Sequence, residues 1–185
     1  MKHFNLIFWG MIFMFSPRIQ GFDVLPDAIG FILIAVGLSG LTHLNPRFEK
    51  AGRLSLVLLP LSLLTLYQRP NEENLYNITT WYGIISVLSI FILILYLLLY
   101  YYICTGIAEA AEAQNKRELV EDAYGAWKRY FSFNLALIFS IVLLLFSYVL
   151  YIIAFLIAGI GAVITTIGVL ILVRRAGKQL KEEWA

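Results

Sequence analysis

The chain has 185 residues, of which 61% are hydrophobic and 14% charged, with 14 Lys and Arg against 12 Asp and Glu. A water-soluble domain carries about a quarter charged residues and less than half apolar, so there is too little polar surface here to face water on every side. The charges nearly cancel and fall between the apolar runs, which excludes a nucleic-acid-binding surface, and the length is that of a single domain.

Taken in chain order, the apolar runs predict an all-α fold: a polytopic transmembrane helix bundle of about six spans, near 4–16, 26–44, 54–67, 79–105, 131–147 and 152–173. The first is the shortest. It follows Lys2 as a signal sequence would, but no small-residue cleavage site comes after it and Pro17-Arg18 does, so it reads as retained. The third carries Pro60, which predicts a kink that frees a carbonyl.

The 43 residues from Phe131 to Val173 hold no charge. As one helix they would reach about 64 Å, twice the hydrocarbon thickness, so the run turns back once. The turn is expected at 147–151, where Tyr148 and Tyr151 suit a headgroup interface. A turn at Gly159-Ile160-Gly161 would leave only about 13 residues for the last span.

Orientation follows from the basic residues, because positively charged loops resist export. With N- and C-termini both inside, Lys2, the Arg47/Lys50/Arg53 group, the Lys116 to Arg129 group and the Arg174 to Lys181 group are cytoplasmic, 12 of the 14. Only Arg18 and Arg69 remain outside. No internal repeat relates the two halves, so an inverted-repeat transporter is not indicated.

The stretch at 106–130 is charged enough to leave the bilayer. Asn115 with Glu118 three residues on has the spacing of a capping box, which predicts a separate cytoplasmic amphipathic helix from Lys116. Its apolar face would carry Leu119, Val120, Ala123, Tyr124 and Trp127, with Arg117 and Glu121 paired at i, i+4. That helix would lie along the inner membrane surface; the alternative use is docking a cytoplasmic partner through Leu119, Tyr124 and Trp127.

The candidate binding residues are Arg18, Asp23 and Asp27, on the outer side before the second span. In the structural reading Asp23 caps that helix, Pro26 occupies its first turn, Asp27 benefits from the helix dipole and Arg18 pairs with a carboxylate. In the functional reading the same three groups form a polar ligand site at the membrane edge, where ionisable groups are expensive to keep. The segment Gly21-Phe-Asp-Val-Leu-Pro-Asp-Ala-Ile-Gly30-Phe, followed by a glycine-bearing helix and a basic loop, resembles a group of small multi-pass membrane proteins of Gram-positive bacteria. The resemblance covers roughly residues 16–45. It implies a multi-pass topology in a bacterial plasma membrane and transfers no activity and no catalytic residue.

Small residues predict helix seams: Gly30 and Gly37 with Ala35 in the second span, and Ala154, Ala158, Ala162 and Thr166 at steps of four in the last. Tyr96, Tyr100, Tyr101 and Tyr102, with Trp81 and Tyr82 at the other end of the fourth span, have the distribution of an aromatic belt. Asn134 is expected to bond a neighbouring helix or backbone. Cys104 lies among apolar neighbours and reads as a packing residue.

No cofactor and no metal are expected. His3 and His43 are the only histidines, and there is no H-E-x-x-H, P-loop or G-x-S-x-G motif. These features point away from an enzyme, toward a non-enzymatic binding or transport-associated membrane subunit. The alternative is a regulatory or immunity-type membrane protein acting through helix and cytoplasmic-segment contacts. Expected partners are the lipid bilayer together with a small-molecule ligand or a membrane or cytoplasmic protein.

Overall fold

The computed structural model describes residues 2–14, 18–19, 22–23, 27–65, 75–143 and 146–180. Six helices occur among the described residues: α1 (Lys2–Phe13), α2 (Asp27–Ser39), α3 (Pro46–Thr65), α4 (Leu75–Ala113), α5 (Arg117–Leu143) and α6 (Tyr148–Gln179). Between α1 and α2 lie two strands of two residues each, β1 (Arg18–Ile19) and β2 (Phe22–Asp23), paired antiparallel. The all-α class is as the apolar periodicity predicts.

Two helical stretches among the described residues are long and apolar enough to cross a membrane, Ile90–Ala113 within α4 and α6 itself. The helices α1 and α2 have 12 and 13 residues, or about 18–20 Å of regular helix, short of the ~30 Å of hydrocarbon. The second span therefore does not form as the full helix expected over 26–44; α2 ends at Ser39 and tight turns occupy 40–44.

The chain packs as two compact units, Lys2–Tyr102 and Ile103–Ala185. In the first, α1 and α2 run antiparallel with their backbones in contact. A Cβ placed on Gly30 would lie 2.7 Å from the Gly10 carbonyl oxygen, and one on Gly37 would lie 2.7 Å from the His3 carbonyl oxygen. Glycines seven residues apart thus meet the partner helix at successive turns, so the α2 small-residue seam is intramolecular. Phe4, Ile7 and Met11 of α1 and Phe31, Ile34 and Leu38 of α2 are closed from the surroundings.

Helix α3 starts at Pro46, eight residues before the apolar run begins, because Asn45 caps it. The Asn45 side-chain oxygen accepts the Arg47 N–H at 2.8 Å, and proline at the first helical position has no N–H to leave unpaired. Asn45→Ala is expected to lower stability by about 1 kcal/mol, measured as a lower thermal midpoint of the purified protein. The helix then continues through Pro60. The basic group expected in a loop is therefore helical, and it is held by aromatic rings: Arg47 lies 5.7 Å from the Tyr101 ring centre and Lys50 6.0 Å from that of Tyr102. Tyr100 is buried and Tyr96 packs on Phe31, so these tyrosines serve packing and cation contacts as well as any interface.

In the second unit, α4 ends at a Schellman turn. The Lys116 N–H donates to the Ala111 carbonyl and the Asn115 N–H to the Glu112 carbonyl, with Asn115 left-handed at φ 57°. Asn115 therefore terminates α4 rather than capping a new helix, since asparagine tolerates that backbone better than most residues. The Lys116 carbonyl accepts from Leu119 and Val120 and opens α5. No separate amphipathic helix forms at 106–130: residues 106–113 complete α4, and 117–130 are the first half of α5.

The long uncharged run breaks between Leu143 and Tyr148, just ahead of the expected turn, and Gly159 and Gly161 lie inside α6. Helices α5 and α6 then pack antiparallel along two stripes spaced alternately three and four residues. On α5 the stripe that lines the clefts between them runs through Asp122, Ala126, Arg129, Phe133, Ala136 and Ser140, with Arg129 and Ala136 exposed; on α6 it runs through Ala154, Ala158, Gly168 and Leu172, with Gly161 against Phe133. That is the spacing of a left-handed antiparallel pair. It replaces the steps-of-four seam: Ala158, Gly161 and Thr165 are buried, whereas Ala162 and Thr166 are half-exposed. Phe133 sits where a side chain on Gly161 would be.

Outward, α6 presents Leu156, Ile157, Ile160, Val163, Ile164 and Ile167, each 46–64% exposed. α5 adds Phe139 and Ile141 at 62% and 58%. Along residues 154–168 of α6 the buried positions are the small ones, Ala158, Gly161 and Thr165, while the large apolar side chains face outward, the reverse of a water-soluble helix.

Candidate functional site

The backbone ladder between α1 and α2 pairs Arg18 with Asp23 and Ile19 with Phe22. Two of the three candidate binding residues are thus direct cross-strand partners, and the third, half-buried Asp27, is the first residue of α2. Asp23 belongs to β2, and α2 begins at Asp27. Opposite charges directly across an antiparallel pair attract, and a carboxylate in the first helical turn meets the positive end of the helix dipole. The Arg18 and Asp23 side chains and Pro26 lie outside the described residues.

The candidate docking residues separate. Leu119 is 1% exposed and is therefore closed to any partner in this conformation, a correction to the expected face. Buried Leu119, Ala123, Ala126, Tyr130 and Asn134 define the inward side of α5, and the Asn134 amide donates to its own helix at the Tyr130 carbonyl, 2.8 Å away. Tyr124 is 41% exposed. Trp127 is half-exposed, with its ring 5.4 Å from that of Phe131. Only these two of the three present surface.

The seam between α5 and α6 carries a charged cleft that sequence reasoning missed. Asp122 accepts a hydrogen bond from the Arg175 guanidinium at 2.8 Å, and the cavity beside the pair, about 200 Å³, is lined also by Ala126, Arg129, Gly168, Ile171 and Leu172. The Arg117–Glu121 pair expected from spacing does not form among the described residues; Asp122, one position on, reaches across the seam instead. The signal in sequence was the seven-residue spacing of Asp122 and Arg129, which puts both on one stripe. Nothing in sequence said that α6 would bring Arg175 to it.

A second cleft follows on the same seam, about 400 Å³ and apolar, lined by Phe133, Ala136, Leu143, Ala154 and Ile157 among others. Cys104 is buried, and no group of three or more His, Cys, Asp or Glu placed to hold a metal occurs among the described residues. Comparison of the chain with family models, with curated proteins and with solved structures finds no match.

Proposed function

We propose that this chain is a multi-pass protein of a bacterial plasma membrane, with all six helices embedded and both termini cytoplasmic, and that it serves as a non-enzymatic binding or transport-associated subunit. The observation that carries the membrane reading is the inverted arrangement along the middle of α6, small residues within and large apolar residues without. The proposed sidedness is supported by contacts inside each unit. Phe4 packs on Phe48 with ring centres 6.4 Å apart, which keeps Lys2 beside the Arg47 group. The Asp122–Arg175 pair keeps the basic start of α5 beside the basic end of α6.

The binding reading rests on the register that sets Arg18 opposite Asp23, four residues before Asp27. A guanidinium and two carboxylates at that edge would recognise a small zwitterionic or cationic solute from outside. The experiment is to purify the protein in detergent and identify co-purified small molecules by mass spectrometry. A bound metabolite is expected in the parent protein, reduced about tenfold in Arg18→Ala and in Asp23→Ala, the loss of one charge-assisted hydrogen bond. Unchanged small-molecule content in both variants would refute this site.

The regulatory reading is favoured by one observation, the exposed Tyr124 beside half-exposed Trp127 in the charged half of α5. Under that reading a protein partner is lost in Trp127→Ala while the small-molecule content stays constant.

A further inference from the structure

We propose that the seam between α5 and α6 is a binding site for an anionic phospholipid, whose phosphate is held by Arg129 and Arg175 and one of whose acyl chains lies along the apolar cleft beside Phe133. The inference rests on the membrane reading above.

Its first support is charge. The cleft is lined by two guanidinium groups and one carboxylate, Asp122, which is bonded to Arg175. The sum, one positive charge, is complementary to one phosphodiester. A guanidinium presents two parallel N–H donors to phosphate oxygens, a geometry that water-facing lysines do not reproduce. Arg175 is 59% and Asp122 47% exposed at the side chain, so the pair stands open to a ligand rather than sealed in the core.

Its second support is depth. With Asp122 opposite Arg175, the antiparallel register sets Arg129 opposite Gly168, seven residues or about 10 Å along α6 toward the apolar middle. Ile171 and Leu172 line the cleft there. An ionised group at that level is expensive, and a long side chain relieves the penalty by bending back toward the interface. Arg129 does so: a guanidinium nitrogen lies 3.8 Å from where a side chain on Gly125 would begin, one turn back along α5. Among the described residues no carboxylate pairs with Arg129. A lipid phosphate resides at the depth to which this guanidinium returns.

Its third support is continuity. The same two stripes that line the charged cleft go on to line the larger apolar one, Phe133, Ala136 and Leu143 from α5 with Ala154 and Ile157 from α6. Polar and apolar subsites in sequence along one seam fit an amphiphile whose long axis follows the helices.

The test is native mass spectrometry of the full-length protein in detergent, with dioleoylphosphatidylglycerol and dioleoylphosphatidylcholine added at equal concentration. The anionic lipid is expected to bind about tenfold more tightly than the zwitterionic one, and Arg129→Gln to abolish most of that preference. Asp122→Asn acts in the opposite direction, since it frees Arg175 from its carboxylate, and binding is expected to tighten severalfold. Ala136→Phe fills the apolar cleft and is expected to weaken lipid binding severalfold. If Arg129→Gln does not fold, the sign of the Asp122→Asn effect decides. Equal binding of the two lipids by the parent protein, weaker binding in Asp122→Asn, or inorganic phosphate bound where no lipid is retained would each overturn the assignment. A protein that needs detergent to stay in solution yet shows no lipid preference would refute this inference alone and leave the membrane reading standing.

Discussion

Replacing Ile160 with lysine is expected to shift the apparent free energy of inserting α6 into a bilayer by about 3 kcal/mol toward the aqueous state. Ile160 is 61% exposed and lies twelve residues beyond Tyr148 and fourteen before Arg174, near the middle of the apolar stretch. If water were the solvent around this helix, lysine at so exposed a position would change stability by less than ~0.5 kcal/mol and would improve solubility. In hydrocarbon the ammonium has no partner and must either drag water inward or stretch toward an interface about 18–21 Å away, beyond its reach. The two solvents therefore predict opposite outcomes for one substitution. A membrane-insertion assay on the α5–α6 hairpin reads the shift, and the amount of full-length protein in the membrane fraction of cells should fall with it. Undiminished accumulation of a water-soluble Ile160→Lys protein would remove the basis for placing α6 in lipid.

Gly30→Val should destabilise the first unit by about 3 kcal/mol, the upper part of the range for overpacked sites. The obstruction is backbone, not side chain: the Gly10 carbonyl oxygen is 2.7 Å from the new Cβ position, and Met14 Cγ is 2.9 Å from it. A crowded side chain can change rotamer, but a carbonyl fixed in a helix cannot, so α1 and α2 must separate. Separation would loosen Phe4, Ile7, Ile34 and Leu38, all of them at most 1% exposed. In lipid these contacts depend on close van der Waals approach, because apolar side chains gain nothing merely by leaving the surroundings. The comparison is Gly159→Ala, where nothing lies within 4 Å and the better helix former should be neutral or stabilising by up to ~1 kcal/mol. Thermal midpoints in one detergent decide the matter; equal midpoints for Gly30→Val and Gly159→Ala would mean that α1 and α2 do not approach this closely.

The candidate site divides along the same line as the fold. Arg18, Asp23 and Asp27 drew notice in the sequence because charges beside an apolar run are rare; the strand pairing of the first two did not show there. Leu119 was misassigned to a docking face because its spacing from Tyr124 and Trp127 allows a shared stripe, and only burial shows which side of α5 turns inward. The Asp122, Arg129 and Arg175 cleft was out of reach: Asp122 and Arg175 are 53 positions apart. Their meeting depends on how α5 slides against α6.

The sequence by itself determined the helical class and the break in the long uncharged run. Each of these follows from local composition and from the expense of placing charge or unpaired backbone in an apolar solvent, so neighbours in sequence suffice to read it. Only the tertiary structure decided where α4 gives way to α5, which small residues form seams, and which charges meet. A left-handed Asn115 and a Schellman turn were needed to end α4, and the 3.5-residue repeat of the α5–α6 seam had to prevail over an equally visible repeat of four. Those choices are settled by how closely two helix surfaces fit, a property of the pair that neither stretch carries alone.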